Sequence, residues 1–392
     1  MKKARIASID ILRALTMVLM IWVNDFWTLT KVPKWLEHAS AQEDYLGFSD
    51  VIFPLFLFIV GLSIPFAIKQ RQNKGDTGGA IVRHIIIRSV SLLIIGVYMV
   101  NYESANETLG LGKYWWCFIM ALATVLVWMH WKKSPIPKQW HPFLQGAGIL
   151  IFVFLAIIFK GGEHGDLGMK THWWGILGLI GWAYLINALL YLFSKGNIYV
   201  MIGIFVGFNT LGVLHQMELL PTLNEPLSIL NVIYGGTIPA FTSAGILATL
   251  LYKKMIRKKS HWLVISLLII GSLCIGYGLI TRPIWGISKI QGTPSWVAIC
   301  TGIGFICFAV LYVLADLKQQ TRWANIITPA GTATLTCYMI PYFVYPLRQI
   351  TGISLPESLN SGIVGLLGSF IFAMLIVLFT GWIEKRGYKL KL

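Results

Sequence analysis

Charge is scarce in this chain. Asp and Glu together number 16 and Lys and Arg 32 among 392 residues, so that 12% of positions are charged against 56% apolar. Soluble domains carry about a quarter charged residues, and a surface this poor in charge excludes an ordinary solvated protein. Cysteine is also rare. Cys117, Cys274, Cys300, Cys307 and Cys337 each fall inside an apolar run and lack the paired spacing of a metal site. They read as small core residues, with neither a disulfide framework nor zinc expected. No polar stretch is long enough to form a separate soluble domain, no basic and aromatic module for nucleic acid is visible, and the two halves show no internal repeat.

What remains is a series of apolar runs, with a mean hydropathy of +0.70. Runs of about 20 residues cross a hydrocarbon core as helices, because in lipid a helix satisfies its own backbone polar groups. The runs predict an all-α polytopic membrane protein in which residues 1–392 form a single transmembrane domain. We read twelve spans, near residues 8–27, 48–68, 81–101, 114–131, 143–159, 173–193, 197–217, 229–252, 261–281, 296–315, 326–347 and 361–383. The first run follows a basic start like that of a signal peptide. The small residues Ala39-Ser40-Ala41 lie too far downstream for cleavage, and Asp10 with Arg13 inside the run points to a retained helix.

Alternate loops and helix ends collect Lys2, Lys3, Arg5, Arg13, the group from Lys69 to Arg88, Lys132, Lys133, Lys138, Lys195, the cluster from Lys253 to Lys259, Lys318, Arg322 and the tail from Lys385. Of the acids, only Asp10, Asp76, Asp316 and Glu384 fall on that side. The positive-inside rule then predicts that both termini are cytoplasmic, and the net charge of +16 reflects topology and anionic lipid rather than nucleic acid.

Polar side chains that interrupt the apolar pattern are the candidates for chemistry, since charges at membrane depth persist only with a partner or a water-filled cavity. Asn24 ends the first run, Asp50 begins the second, and His38 lies in the short polar segment between them. An imidazole takes up and returns protons at neutral pH, a carboxylate on one ring nitrogen fixes its tautomer, and an amide donor can stabilise an oxyanion. These are parts for acyl transfer, although spacing alone does not separate a catalytic His38 from a structural one. His164 and His172, in a Gly-rich acidic loop, read as solvated or as weak divalent-metal ligands. His84, His130, His141 and His261 read as interfacial. Asp10 and Arg13, three residues apart, share a helix face and form either a structural pair or part of an anion site. Arg83 and Arg88 either snorkel to lipid heads or bind phosphate. Lys289, in the outer loop with Ser288, is a phosphate or sugar contact or a loop anchor. Trp285 and Trp296 flank it as sugar-stacking or membrane-belt residues.

The runs Ser8-Ile9-Asp10-Ile11-Leu12-Arg13-Ala14-Leu15-Thr16, Val23-Asn24, His38-Ala39-Ser40 and Ser49-Asp50-Val51-Ile52-Phe53-Pro54 through Gly61 resemble the heparan-alpha-glucosaminide N-acetyltransferase family and its bacterial relatives. Arg88-Ser89 through Asn101, Ile287-Ser288-Lys289 with Ser295-Trp296, and Pro329-Ala330-Gly331 with Tyr338 extend the resemblance. It implies an enzyme of the bacterial cytoplasmic (inner) membrane that uses cytoplasmic acetyl-CoA to acetylate the amino group of a glucosamine-containing saccharide on the far side. His38, Asn24 and Asp50 would be catalytic. Arg13, Arg83, Arg88, Ser288 and Lys289 would hold the CoA, and Trp285, Trp296, Asn101 and Tyr338 the sugar. After Gly331 the chain reads Thr332-Ala333-Thr334, without the Asn and the later His-Glu pair usual in the family, and the hairpin from Trp173 to Met217 reads as an additional pair of spans. A bacterial sugar is therefore expected rather than heparan. No metal is called for, lipid is the surrounding partner, and a homodimer is compatible with the sequence without being specified by it. The rival readings are a secondary transporter and an O-acyltransferase acting on an envelope polysaccharide.

Overall fold

The computed structural model describes residues 6–106, 110–172, 174–221, 223–224, 227–256 and 260–392. Lys2, Lys3, Arg5, Trp173, Arg257, Lys258 and Lys259, all used in the reading of spans and orientation, lie outside the described residues. The chain is all α. Its helices are α1 (Ala7–Asn24), α2 (Ser49–Asn73), α3 (Gly78–Glu103), α4 (Lys113–Trp128), α5 (His141–Ile158), α6 (Ile176–Phe193), α7 (Ile198–Gln216), α8 (Asn231–Tyr234), α9 (Thr237–Met255), α10 (Ser260–Trp285), α11 (Pro294–Leu311), α12 (Thr328–Thr332), α13 (Thr334–Met339), α14 (Pro341–Thr351) and α15 (Gly362–Lys385).

Among the described residues, nine helices are long and apolar enough to cross a membrane, and the bent pair α8 and α9 makes a tenth. The other two expected spans take different forms. The fourth is α4, with 16 residues. The eleventh is a chain of three short helices, α12 to α14, in which Pro341 opens the last piece because proline has no N–H to continue a helical ladder.

Helices approach closely where small residues let backbone meet backbone, the usual device in lipid, where apolar side chains gain little by leaving one apolar medium for another. A Cβ on Gly245 of α9 would lie 1.9 Å from the Phe58 carbonyl of α2, and one on Gly61 would lie 2.0 Å from the Thr242 carbonyl. The same pair of helices is tied by the Thr242 and Thr249 hydroxyls, which donate to the Leu57 and Leu62 carbonyls at 3.1 and 2.8 Å. In α10 the buried positions are Leu263, Leu267, Gly271 and Gly278, one stripe turned to α11, while Leu273 and Ile280 on other faces are exposed as lipid contacts would be.

The helix α1 sits at the centre, against α2, α11, α12 and α15. Its first turn is closed by Asp316, which accepts from the Ala7 and Ser8 N–H groups at 2.9 and 3.0 Å. A carboxylate there satisfies two unpaired donors and complements the positive end of the helix dipole. The helices α6 and α7 differ in burial, α7 burying only Met201 and Phe208. The first of them packs on α3, α2 and α9, with Tyr184, Asn187 and Ala188 in the interior.

Candidate functional site

His38 is held from both sides of its loop. The Phe48 and Ser49 N–H groups donate to the Trp35 and Leu36 carbonyls, and the Ser49 hydroxyl also donates to the Leu36 carbonyl. These bonds fold the polar segment back onto the start of α2. There the Asp50 carboxylate, 1% exposed, takes three donors. Oδ2 accepts from the Ala39 N–H at 3.0 Å and the Gly47 N–H at 3.2 Å, and Oδ1 lies 2.7 Å from His38 Nδ1. Gly47 is required by this closure, since a Cβ would meet the Glu37 carbonyl at 1.8 Å.

An ionised carboxylate only accepts, so the short contact assigns the proton of neutral His38 to Nδ1 and leaves the Nε2 lone pair free. Nε2 carries no hydrogen bond among the described residues, and His38 lines a cavity. Lys289 completes the group, with Nζ 3.2 Å from His38 Nδ1 and 3.9 Å from Asp50 Oδ1. Burial pushes the Lys289 ammonium below its ordinary range, against the upward pull of the Asp50 charge. The loop bearing Lys289 is fixed to the His38 loop at several points. The Tyr45 N–H donates to the Ile287 carbonyl, and Ser288 Oγ and Gln291 Nε2 both donate to the Ala41 carbonyl. Trp296 Nε1 donates to the Asp50 carbonyl at 3.2 Å, bracing the first turn of α2 from below.

Three cavities converge on this region. The first, of about 610 Å³, is lined by His38, Asn24, Lys289 and Trp296, and also by His215 and Asn231. The second, of about 390 Å³, lies towards the basic end and is lined by Arg13, Ser63, Arg88, Tyr184 and the C-terminal residues Lys389 to Leu392. The third, of about 520 Å³, is bounded by Asn24, Trp27, Tyr102, Glu103, Lys113, Tyr114, Tyr338 and Tyr345. Ile176, the first residue of α6, lines all three. Met20 is shared by the basic and His38 cavities, and Asn24 by the His38 and aromatic cavities.

The sequence-derived candidates separate accordingly. Arg13 bonds Asp10 at 3.0 Å, Ser63 Oγ at 2.7 Å and the Gly331 carbonyl at 3.4 Å. Arg88 lies 4.8 Å over the Tyr184 ring, and its buried Nε has no partner among the described residues. Both face the basic cavity. Arg83 is exposed and lines none of the three. Ser288 and Lys289 stand at the other end of the bundle, since Arg13 lies about 16 Å down α1 from Asn24 at the rise of an α-helix, so these five residues do not form one site.

Tyr338 and Trp296 line cavities, whereas Trp285 does not. Asn101 is buried in a latch, with Nδ2 donating to the Val97 and Lys170 carbonyls and Oδ1 accepting from the Lys170 N–H. Sequence reasoning missed Lys389 and Lys391, which join the basic cavity from the tail, and Glu103, a lone acid at the end of an apolar span. The position of that acid was its only signal.

Residues 5–108 match the family model described as heparan-alpha-glucosaminide N-acetyltransferase, catalytic. The chain is 32% identical over 159 residues to the heparan-alpha-glucosaminide N-acetyltransferase of Mus musculus, a stretch covering 40% of this chain and 19% of the mouse protein. It is 31% identical over 101 residues to the Homo sapiens protein of the same name, covering 25% of this chain and 14% of that one. The matched stretches thus span less than a fifth of either relative's length. Asn24, His38, Asp50 and both arginines of the basic cavity fall within the stretch that is similar to the heparan-alpha-glucosaminide N-acetyltransferase family.

Proposed function

We propose that this chain is a transmembrane N-acetyltransferase that moves an acetyl group from acetyl-CoA, bound at its basic end, to the amino group of a glucosamine-type sugar presented at the opposite face. The observation that carries this reading is the shared wall of the cavities: the space beside His38 and the space beside Arg13 and Arg88 both end on Met20 and Ile176. CoA is a polyanion and stays on its own side of the bilayer, so only its pantetheine arm and the thioester have to reach the interior. Arg88, whose Nε is buried without a partner among the described residues, fits a phosphate oxygen. Lys391 lines the same cavity, as do Arg13 and Lys389, which are paired with Asp10 and Glu384.

In the reaction the C–S bond of the thioester breaks and the sulfur leaves as the thiol of CoA. His38 Nε2 either attacks the carbonyl and then passes the acetyl group to the amine, or removes a proton from the sugar ammonium so that the nitrogen attacks directly. Asp50 supports both routes in the same way, by holding Nδ1–H and stabilising the imidazolium. The Asn24 amide, which makes no hydrogen bond among the described residues, is free to donate to the oxyanion that forms on the carbonyl. Positive-inside topology supports a cytoplasmic basic end, and in this reading the protein sits in the bacterial cytoplasmic (inner) membrane. All 392 residues would act as one domain.

Incubation of the purified protein with labelled acetyl-CoA and a panel of glucosamine, glucosamine-terminated oligosaccharides and neutral sugars tests the reading, with His38→Ala in parallel. Amine-dependent transfer that disappears in the variant is expected. Absence of any CoA-dependent transfer by the parent would refute it. Acid quenching before acceptor is added, followed by mass spectrometry of the His38 peptide, distinguishes the acetyl-histidine route from direct attack.

A further inference from the structure

The aromatic cavity is lined by neither His38 nor the arginines of the basic end, yet it borders both spaces, sharing Asn24 and Ile176 with the His38 cavity and Ile176, Leu177 and Tyr338 with the basic one. Its walls carry rings from separate elements: Trp27 beyond α1, Tyr102 at the end of α3, Tyr114 on α4 and Tyr345 on α14. Trp27 and Tyr345 meet edge to face at 5.4 Å and form a rigid corner. Flat rings at this density offer apolar faces to the C–H face of a pyranose and attract a cation at the same time.

The charges around it are unequally engaged. Asp25, just behind the corner, accepts from the Tyr345 hydroxyl at 2.7 Å and from the Thr28 hydroxyl at 3.4 Å, and it is not part of the lining. Lys113 donates to the Glu103 carbonyl at 3.3 Å and lies 5.6 Å over the Tyr102 ring. Glu103 lines the cavity, and no side chain or N–H donates to its carboxylate among the described residues; Lys113 acts on it only at longer range. A carboxylate without a donor beside aromatic rings, in a cavity that shares Asn24 and Ile176 with the one beside His38, suits an ammonium group on a ring-shaped ligand.

We infer that this cavity is the docking pocket for the amino sugar, with Glu103 as the residue that selects the charged amine over its neutral N-acetyl product. The inference rests on the acetyltransferase reading and names the acceptor subsite of that reaction. Glu103 binds the ammonium before reaction. Once the amine is acetylated the charge is gone, the attraction with it, and the product leaves.

Calorimetric titration of the full chain with methyl glucosaminide and, separately, with methyl N-acetylglucosaminide tests this without any acetyl transfer. The parent is expected to bind the amine at least tenfold more tightly than the N-acetyl sugar. Glu103→Gln should lose about tenfold of the affinity for the amine, the usual scale for one charge-assisted hydrogen bond, and leave the N-acetyl sugar unchanged. Equal binding of the two sugars by the parent, or an undiminished preference in Glu103→Gln, overturns the proposal. If that variant does not fold, Lys113→Met decides, because removing a competing positive charge should tighten the amine several-fold, and no tightening refutes the assignment. The two readings fail separately. A parent that selects the amine through Glu103 but transfers no acetyl group refutes the acetyltransferase and keeps the pocket, whereas an active enzyme whose Glu103→Gln variant keeps its KM for the amine does the reverse.

Discussion

Arg282 at the end of α10 grips Asp44 of the His38 loop from two directions. Its Nε lies 2.9 and 3.1 Å from the two carboxylate oxygens, and Nη2 donates to the Asp44 carbonyl at 3.0 Å. Asp44 Oδ1 also accepts from the Ile287 N–H at 2.7 Å, so one carboxylate joins the loop bearing His38 to the loop bearing Lys289. The pair is exposed and is worth only about 0.2–1 kcal/mol of stability. Its importance is positional. Arg282→Ala should lower kcat several-fold while leaving the melting temperature within a few degrees, as parallel kinetics and thermal unfolding would reveal.

The same clasp has a defined pH range. Partial desolvation lifts the Asp44 carboxyl, but the Arg282 guanidinium and the Ile287 N–H outweigh it and hold the group below its ordinary value of 3.8. A carboxylate with a depressed folded value contributes fully above its unfolded value and is lost only as pH falls through the folded one. Hydrogen exchange at the Tyr45 amide, bonded to Ile287 across the clasp, should therefore stay slow at pH 5 and accelerate only below the usual carboxylate range.

Asp50→Asn keeps the size of the side chain but removes the charge that fixes the His38 tautomer. Turnover should fall roughly 10²–10⁴-fold, the range for a lost acid–base function, with little change in the KM for acetyl-CoA. Asp50→Ala would also orphan the Ala39 and Gly47 N–H groups, at about 1–3 kcal/mol each, and should melt measurably lower than Asp50→Asn.

Lys289 places a positive charge 3.2 Å from the nitrogen that must share the imidazolium charge. Because burial holds its ammonium below the ordinary range, the charge disappears as pH rises through that lowered value. The parent should gain activity at alkaline pH from this relief. Lys289→Met should abolish that rise and move the acid limb of the pH–rate profile upward; profiles that coincide would mean that the lysine has no influence on His38.

Arg88→Gln should raise the KM for acetyl-CoA by roughly 10–100-fold, the scale of one or two charge-assisted contacts. Replacing Lys389 and Lys391 together by alanine should give a smaller rise in the same constant. Arg83→Gln, on an exposed face that lines none of the three cavities, should leave it unaltered. Initial rates at varied acetyl-CoA would separate the three.

The pairing of His38 with Asp50 was legible because the two residues bound a short polar segment whose ends are fixed by apolar runs. Arg83 and Arg88 illustrate what was not. They are five residues apart, about 140° around a helix, so only one can face a given cavity, and composition does not reveal which. Asn101 shows a second limit. A polar residue at the end of a span can turn to the reaction space or to a neighbouring loop, and here both atoms of its amide group are bonded to Lys170 of the loop before α6. Proline was equally ambiguous. Pro54 and Pro65 sit inside an unbroken α2, whereas Pro341 begins a new helix, and the difference lies in tertiary support rather than in the residue.

The wall at Ile176 also has an electrical consequence. With water in the cavities on either side, the potential across the bilayer falls over the width of a few apolar side chains rather than over roughly 30 Å of hydrocarbon. The proposed reaction requires a partition thin enough for a two-carbon fragment to pass and dry enough to stop a proton. Ile176→Gly should therefore appear first as a proton leak in energised vesicles, because a residue on the wall shared by the two cavities is also part of the insulation of the membrane.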